Sequence, residues 1–499
     1  MFTALLGPLL IDWTSYRESF EREASRFFGA PVRVAGKANL RILPTPTISF
    51  TDVRVGDGDE PALAVERFRA QVELTPLLTG DFEVIEMTIE RPVVRIDLAD
   101  LARLGDGPAG QDSRSGTVSL AKVSLSQVEI VQGQVLISDS RHGRFWVAET
   151  INAVVAARSL QGPGRIDGGF VVNGNPVTFR AGIGRRGSDA TLPVGLSLTA
   201  ARWPVNLVTD GALSLEPGQA AAYEGTYTLS GIGPGTVGDD AGEGADGNNG
   251  VSESSDGKET PVLATLRSSG AFRLDPDALN LAEFKIGTGP EDRPVQANGE
   301  AIVAFGAEPQ FRVALRARQI DADRSLGGGP DDPVSIEAAL RRFIASLGDL
   351  PVPPIDGLLT FDAQGLVVGG SVIQAVGADL SPAADGWDVQ IASAVLPGNT
   401  RVDLSGKLTV GPKRRFAGTA KMRSRRPSAF AAWLRGGPRA AGRLDEFSVE
   451  TRLDISDDLM AFDEISATIG DDAVSGAVRL HSFPQSGDRF ANVDLSAQR

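Results

Sequence analysis

Apolar and polar residues alternate with a period of two through most of this chain, and that habit points to β-sheet before anything else. Phe68, Ala70, Val72 and Leu74 interleave with Arg69, Gln71 and Glu73, the pattern of a strand with one face buried and one face wet. The text returns at Phe311, Val313, Leu315 and Ala317 against Arg312, Arg316 and Arg318. Val32 with Val34, Leu40 with Ile42, and Ile48 with Phe50 form shorter alternating pairs. Turn residues punctuate the runs at Gly56-Asp57-Gly58, Thr79-Gly80-Asp81 and Asn173-Gly174, the last a type I′ hairpin signal. The 58 glycines and 30 prolines supply further turns. About 25 such strands at about 4.8 Å spacing would make a sheet about 120 Å long.

Helical spacing interrupts this text in three places. Asp12 is a good N-cap and Gly29 a good C′ residue around the stripe Trp13, Tyr16, Phe20, Ala24 and Phe27. Ser335 precedes a second stripe of Ile336, Leu340, Phe343, Ile344 and Leu347. A third short helix starts near Pro427-Ser428 and carries Phe430, Trp433 and Leu434. The fold expected is therefore mostly β: an elongated, twisted antiparallel sheet with an N-terminal helix and a few short accessory helices. A short strand, a polar turn and a strand with a central glycine recur around Gly299, Gly406 and Gly476. This reads as an array built by accretion.

Composition narrows the chemistry. The formal net charge of −15 disfavours nucleic acid as a partner. The chain has no cysteine, which removes disulfides, thiolate metal sites and cysteine nucleophiles. Its only histidines, His142 and His481, lie far apart in sequence, and both read as exposed turn residues. No Gly-x-Ser-x-Gly elbow surrounds a serine, and Gly327-Gly-Gly-Pro-Asp-Asp lacks the Gly-Lys-Ser/Thr of a phosphate loop. Asp57-Gly-Asp-Glu falls short of a calcium loop. The reading is a non-enzyme with no catalytic residue, metal or cofactor.

The N-terminal residues 1–11 are apolar and uncharged over FTALLGPLLI. Ten helical residues reach only about 15 Å, half a bilayer core. Phe2, Leu5, Leu6, Leu9, Leu10 and Ile11 read as the exit end of a membrane-anchor helix that starts before this sequence. Trp13 and Tyr16 then stand at an interface belt. An amphipathic helix over 12–29 follows, then a first β segment over 30–230. Residues 231–260, rich in Gly, Asp and Ser, read as a disordered insertion or linker. A second β segment with short helices covers 261–499.

The opening of the chain resembles the AsmA family. The resemblance is carried by Gly7-Pro-Leu-Leu-Ile-Asp-Trp-Thr-Ser-Tyr-Arg, Phe20-Glu-Arg-Glu-Ala-Ser, Gly29-Ala-Pro-Val-Arg-Val-Ala-Gly, Leu43-Pro-Thr-Pro-Thr-Ile-Ser-Phe-Thr-Asp-Val-Arg-Val-Gly and Leu74-Thr-Pro-Leu-Leu-Thr-Gly. It implies an inner-membrane protein with one N-terminal anchor and a periplasmic β-rich body. Relatives in the wider superfamily are similar to a sheet curled into a trough that carries phospholipid acyl chains. On that resemblance Val32, Val34, Leu40, Ile42, Ile48, Phe50, Phe68, Val72 and Leu74 are candidate lipid-facing groove residues. Arg414, Arg415, Arg423, Arg425 and Arg426, the densest basic text in the chain, are candidate contacts to lipid phosphate. The function implied is binding or conducting phospholipid between the inner and outer membranes. The alternative is a non-catalytic scaffold that assembles or targets outer-membrane proteins and contacts other envelope proteins. Alternation suits a closed sandwich as well as a trough, and the resemblance is what selects the trough.

Overall fold

A computed structural model describes residues 21–22, 24–25, 30–41, 45–56, 60–72, 84–97, 125–157, 163–185, 187, 191–200, 205–214, 219–232, 265–289, 294–325, 328–329, 333–336, 338–339, 352–411, 414–436, 445–456, 458–482 and 489–498. The anchor residues Phe2 to Tyr16, most of the 231–260 linker, Ile42, Leu74 and the Asp57 turn lie outside the described residues. Among the described residues no helix is long and apolar enough to cross a membrane.

The described residues are mostly strand. They divide into two compact units, residues 1–229 with 271–278, and residues 230–270 with 279–499.

The first unit holds β1 (Val32–Val34), β2 (Ala38–Arg41), β3 (Thr47–Val55), β4 (Leu63–Val72), β5 (Val84–Asp97), β6 (Leu125–Asp139), β7 (Arg144–Ala157), β8 (Gly164–Val172), β9 (Asn175–Ile183), β10 (Thr191–Ala200), β11 (Val205–Ser214) and most of β12 (Ala222–Gly231). β1 and β2 share β3 as partner. From β3 to β11 each strand pairs with the next. Asn173 and Gly174 both take positive φ, as a type I′ turn requires, and close the β8–β9 hairpin.

The second unit holds most of β14 (Ala278–Thr288), then β15 (Val295–Ala304), β16 (Gln310–Asp321), β17 (Asp356–Val368), β18 (Ser371–Ala383), β19 (Gly386–Leu396), β20 (Thr400–Thr409), β21 (Arg415–Ser424), β22 (Phe447–Ser456), β23 (Leu459–Ile469), β24 (Asp472–Ser482) and β25 (Arg489–Gln498). β13 (Arg267–Leu274) is divided between the units. From β15 to β25 neighbours in sequence are again neighbours in the sheet.

The sheet is mixed, which corrects the antiparallel expectation. β5 pairs with β6, and β16 with β17, in parallel. A parallel partner needs a crossover of a dozen or more residues. Residues 98–124 and 322–355 are long enough to provide one. The second connection carries α1 (Ala322–Ser325) and a helical turn at Ile336 whose Ser335 Oγ accepts from Ala338 N at 3.2 Å. Asp323 on α1 is buried, and its two carboxylate oxygens accept from Gly369 N at 2.9 Å and Gly370 N at 2.8 Å. Both glycines take positive φ at the β17–β18 turn. α2 (Pro427–Leu434) starts on a proline and seats Trp433 against that turn, where Nε1 donates to Val368 O at 3.0 Å.

Two closed cores are evident. In the first unit Val32, Val34, Phe50, Val53, Val55 and Val65 are buried together, with Ala24, Ala30, Ile48, Phe68 and Ile89 packed on them. The helical residues Glu21 and Ser25 fasten this lid: Val34 N donates to Glu21 Oε1 at 2.7 Å, and Val32 N to Ser25 Oγ at 2.7 Å. In the second unit Phe311, Trp387, Val389 and Leu408 form a core under Val352 and Ile355, the segment that leads into β17.

Candidate functional site

Residues opposite one another across paired strands share a face of the sheet, so the register identifies the apolar face. In the first unit one row runs Phe50, Phe68, Ile89, Ile130, Ala153, Gly168, Phe179, Leu198, Leu207, from β3 to β11. The next row runs Ile48, Ala70, Met87, Val128, Val155, Ile166, Ala181, Leu196, Thr209. Every member of both rows is apolar or glycine except Thr209, whose hydroxyl lies 2.8 Å from that of Tyr223.

Long strands drift off a strict period of two, and irregular positions restore it. Phe50 and Val53 are three residues apart, yet both are buried in the same core. The extra residue is Asp52, with φ 53°. Arg91 on β5, Gln132 on β6 and Thr150 on β7 take the same backbone conformation. They keep Ile89 with Pro92, Ile130 with Gly133, and Ile151 with Ala148 on the apolar side; β3, β4 and β5 stay in register across these positions, whereas the β6–β7 pairing shifts around Gly133.

The second unit repeats the arrangement. One row crosses eleven strands: Ala301, Val313, Leu359, Leu380, Val389, Gly406, Gly418, Leu453, Phe462, Val478, Val493. Gly406 and Gly418 face each other so closely that a Cβ on Gly418 would meet Ser405 O at 2.0 Å. A Cβ on Gly476 would meet Asp494 O at 1.9 Å. Gly406 and Gly476 are central glycines of the recurring theme in the sequence, and they stand where neighbouring backbones converge.

The opposite face carries ion pairs. Arg67 meets Glu90 at 2.7 Å, Lys421 meets Glu450 at 3.1 Å, and Arg452 meets Glu464 at 2.7 Å. Asp167 accepts from Arg165 and Arg180, which hold its carboxyl below the usual carboxylate range. Arg415 does the same to Asp454.

The groove candidates separate on this map. Val32, Val34 and Phe50 are sealed in the first core, and Ile48 and Phe68 pack against it. Leu40 pairs with Ile48, and Val72 with Val84, by backbone register. Protein atoms thus already cover the innermost of these residues. The half-buried apolar face continues onto Phe179, Leu198 and Leu207. Of the arginines, Arg415 is committed to Asp454 and Arg414 is half-buried, whereas Arg423, Arg425 and Arg426 are exposed. Sequence reasoning missed the β9–β11 face as a site, although Val177, Phe179, Ala181 and Ile183 announce it by their alternation.

Neither histidine sits in an exposed turn as expected. His142 is in the β6–β7 turn, but its side chain is only 22% exposed and its Nδ1 lies 2.6 Å from Oδ2 of Asp139, itself 1% exposed. His142 and Arg141 together hold the Asp139 carboxyl below the usual range, against the desolvation of its burial. The pair closes the turn, because Arg141 N also donates to Asp139 Oδ1 at 3.2 Å. His481 belongs to β24 rather than to a turn. Among the described residues no group of acidic or histidine side chains is placed to hold a metal ion. Comparison with known proteins gave no matching family model, no similar curated protein and no similar solved structure.

Proposed function

We propose that this protein binds phospholipid in the cell envelope, holding acyl chains along the apolar face of its sheet and conducting them between the inner and outer membranes. One observation supports this most: within each unit the register keeps an unbroken apolar row over strand after strand, and the described strands all belong to one sheet. A single sheet that leaves so much apolar surface half-buried needs something to cover it. A curled trough filled by acyl chains meets that need. Tails then exchange one apolar neighbour for another without entering water, and no catalytic group takes part. The N-terminal segment that resembles a membrane anchor would tether the body to the inner membrane.

Organic extraction of the purified chain followed by mass spectrometry tests the proposal. Phospholipid recovered at one or more molecules per chain supports it. A lipid-free chain that still binds envelope proteins would favour the assembly scaffold instead.

A further inference from the structure

On the polar face from β19 to β24 five cations each have a carboxylate beside them, and one rung breaks the pattern. Lys407 faces Asp388, Lys421 faces Glu450, Arg415 faces Asp454, Arg452 faces Glu464 and Arg479 faces Asp463. Arg401 of β20 lies directly opposite Arg423 of β21. The neighbours on that rung are Val395 on β19 and Ser448 on β22, then Thr468 on β23. No carboxylate is among them, and neither arginine makes an ion pair among the described residues. Like charges placed directly opposite in a sheet are destabilising. Arg425 and Arg426 add two exposed guanidinium groups immediately beyond Arg423, and Arg426 stands at the N-cap of α2 without a side-chain capping bond. A helix N-terminus favours anions there, so the cations add to its positive potential rather than oppose it.

The rung stands at the strand ends. Arg401 follows Thr400, the first residue of β20, and Arg423 precedes Ser424, the last of β21. Thr400 and Ser424 are fully buried and bonded to each other at 2.7 Å. They fix the backbone from which the two arginines project. At the other end of α2, Leu434 is 50% exposed.

We infer that Arg401, Arg423, Arg425 and Arg426 form a docking site for the phosphate-bearing surface of an anionic phospholipid membrane. The chemistry is guanidinium to phosphate, which matches in geometry and charge. The net charge of −15 repels a nucleic acid and an anionic bilayer alike, so attraction rests on the local patch; the exposed Leu434 of α2 favours the bilayer, whose interface accepts an apolar side chain as well as a basic one. This inference rests on the lipid reading above and locates where the headgroup side would engage, at the rim rather than on the apolar face.

The test is co-sedimentation of the full chain with vesicles containing phosphatidylglycerol, compared with vesicles of phosphatidylcholine alone. The variants are Arg401→Ser/Arg423→Ser and, outside the strands, Arg425→Ser/Arg426→Ser. The control is Lys407→Ser/Lys421→Ser, which removes the same charge from paired positions. The parent chain should prefer the anionic vesicles, and each arginine variant should bind them about tenfold or more weakly at low salt. The control should change little, and Arg401→Lys/Arg423→Lys should largely retain binding. The Arg401→Ser/Arg423→Ser variant should melt no lower than the parent, because a repulsive pair is removed. Equal losses in control and variants, a parent indifferent to phosphatidylglycerol, or a marked drop in melting temperature would overturn the inference. Saturable binding of inorganic phosphate or of single-stranded RNA through the rung, without vesicle binding, would overturn it as well. Lipid content after loading from detergent separates the two proposals. A parent that carries no lipid but needs the rung for vesicle binding defeats the conducting role and leaves the docking site standing.

Discussion

The strands at the start of the first unit and those from β9 to β11 carry the same kind of text and meet different fates. Val32, Val34 and Phe50 alternate with polar residues, and so do Val177, Phe179 and Ala181. The first set is sealed: Val34 is 2% exposed under a lid pinned by Glu21 and Ser25. The second set, with Leu198 and Leu207 beside it, stays half-buried along a face with no described second layer. Alternation therefore establishes that a face is apolar and leaves open what covers it. In one region the cover includes the helical residues Glu21, Ala24 and Ser25. In the other, on the proposed function, it is lipid.

The largest effect should come from the sealed region. Val34→Asp places an unpaired charge among Val32, Phe50 and Val53 and should cost about 4 kcal/mol or more. Urea unfolding followed by circular dichroism would show the loss, and a variant as stable as the parent would remove the distinction between the two regions. Gly418→Val, on the apolar row of the second unit, drives a side chain into Ser405 O and should cost about 1–3 kcal/mol in the same assay. Asp139→Asn leaves the β6–β7 turn without its anionic acceptor and should cost about 1–3 kcal/mol at neutral pH. The sign of its pH dependence follows from the depressed pKa of Asp139. The stabilisation is present above the ordinary carboxylate pKa and disappears as the pH falls through the lower, folded-state value. The parent should therefore lose stability in acid at this site, and the variant should show a shallower decline. The smallest effect should be that of Leu198→Asp, where a charge on a half-open face reaches solvent and costs no more than about 2 kcal/mol. A collapse as severe as that of Val34→Asp would mean that the β9–β11 face is closed.

Much of the fold was legible because its determinants are local. Period-two runs, Asn173-Gly174 and the recurring central glycines each report on a few neighbouring residues, and each corresponds to a strand, a hairpin or a close backbone approach. The parallel pairs β5–β6 and β16–β17 were not legible, because a crossover changes strand direction without altering the strand text. The positive-φ positions at Asp52, Arg91, Gln132 and Thr150 were hidden for a related reason. They appear in sequence as breaks in alternation, and only the register reveals that they keep Phe50 and Val53 together. The basic patch was half visible. Arg414 to Arg426 stand out as a cluster, but Arg401 lies more than twenty positions from Arg423 and becomes its neighbour only through the β20–β21 pairing. Pairing also takes Arg415 out of the patch, since Asp454 comes from another strand.

The central claim is that, beyond the two closed cores, the apolar row of each unit holds acyl chains. Photo-crosslinking tests it most directly, with a photoreactive residue placed singly at Phe179, Leu198 and Leu404 on the apolar face (the last lying two residues before Gly406 on β20), at Val34 in the sealed core, and at Thr178 and Lys407 on the polar face. In the presence of phospholipid with labelled acyl chains, label should be captured at Phe179, Leu198 and Leu404 and be absent from the other three. Capture at all six positions, or at none of the apolar three, would contradict the account.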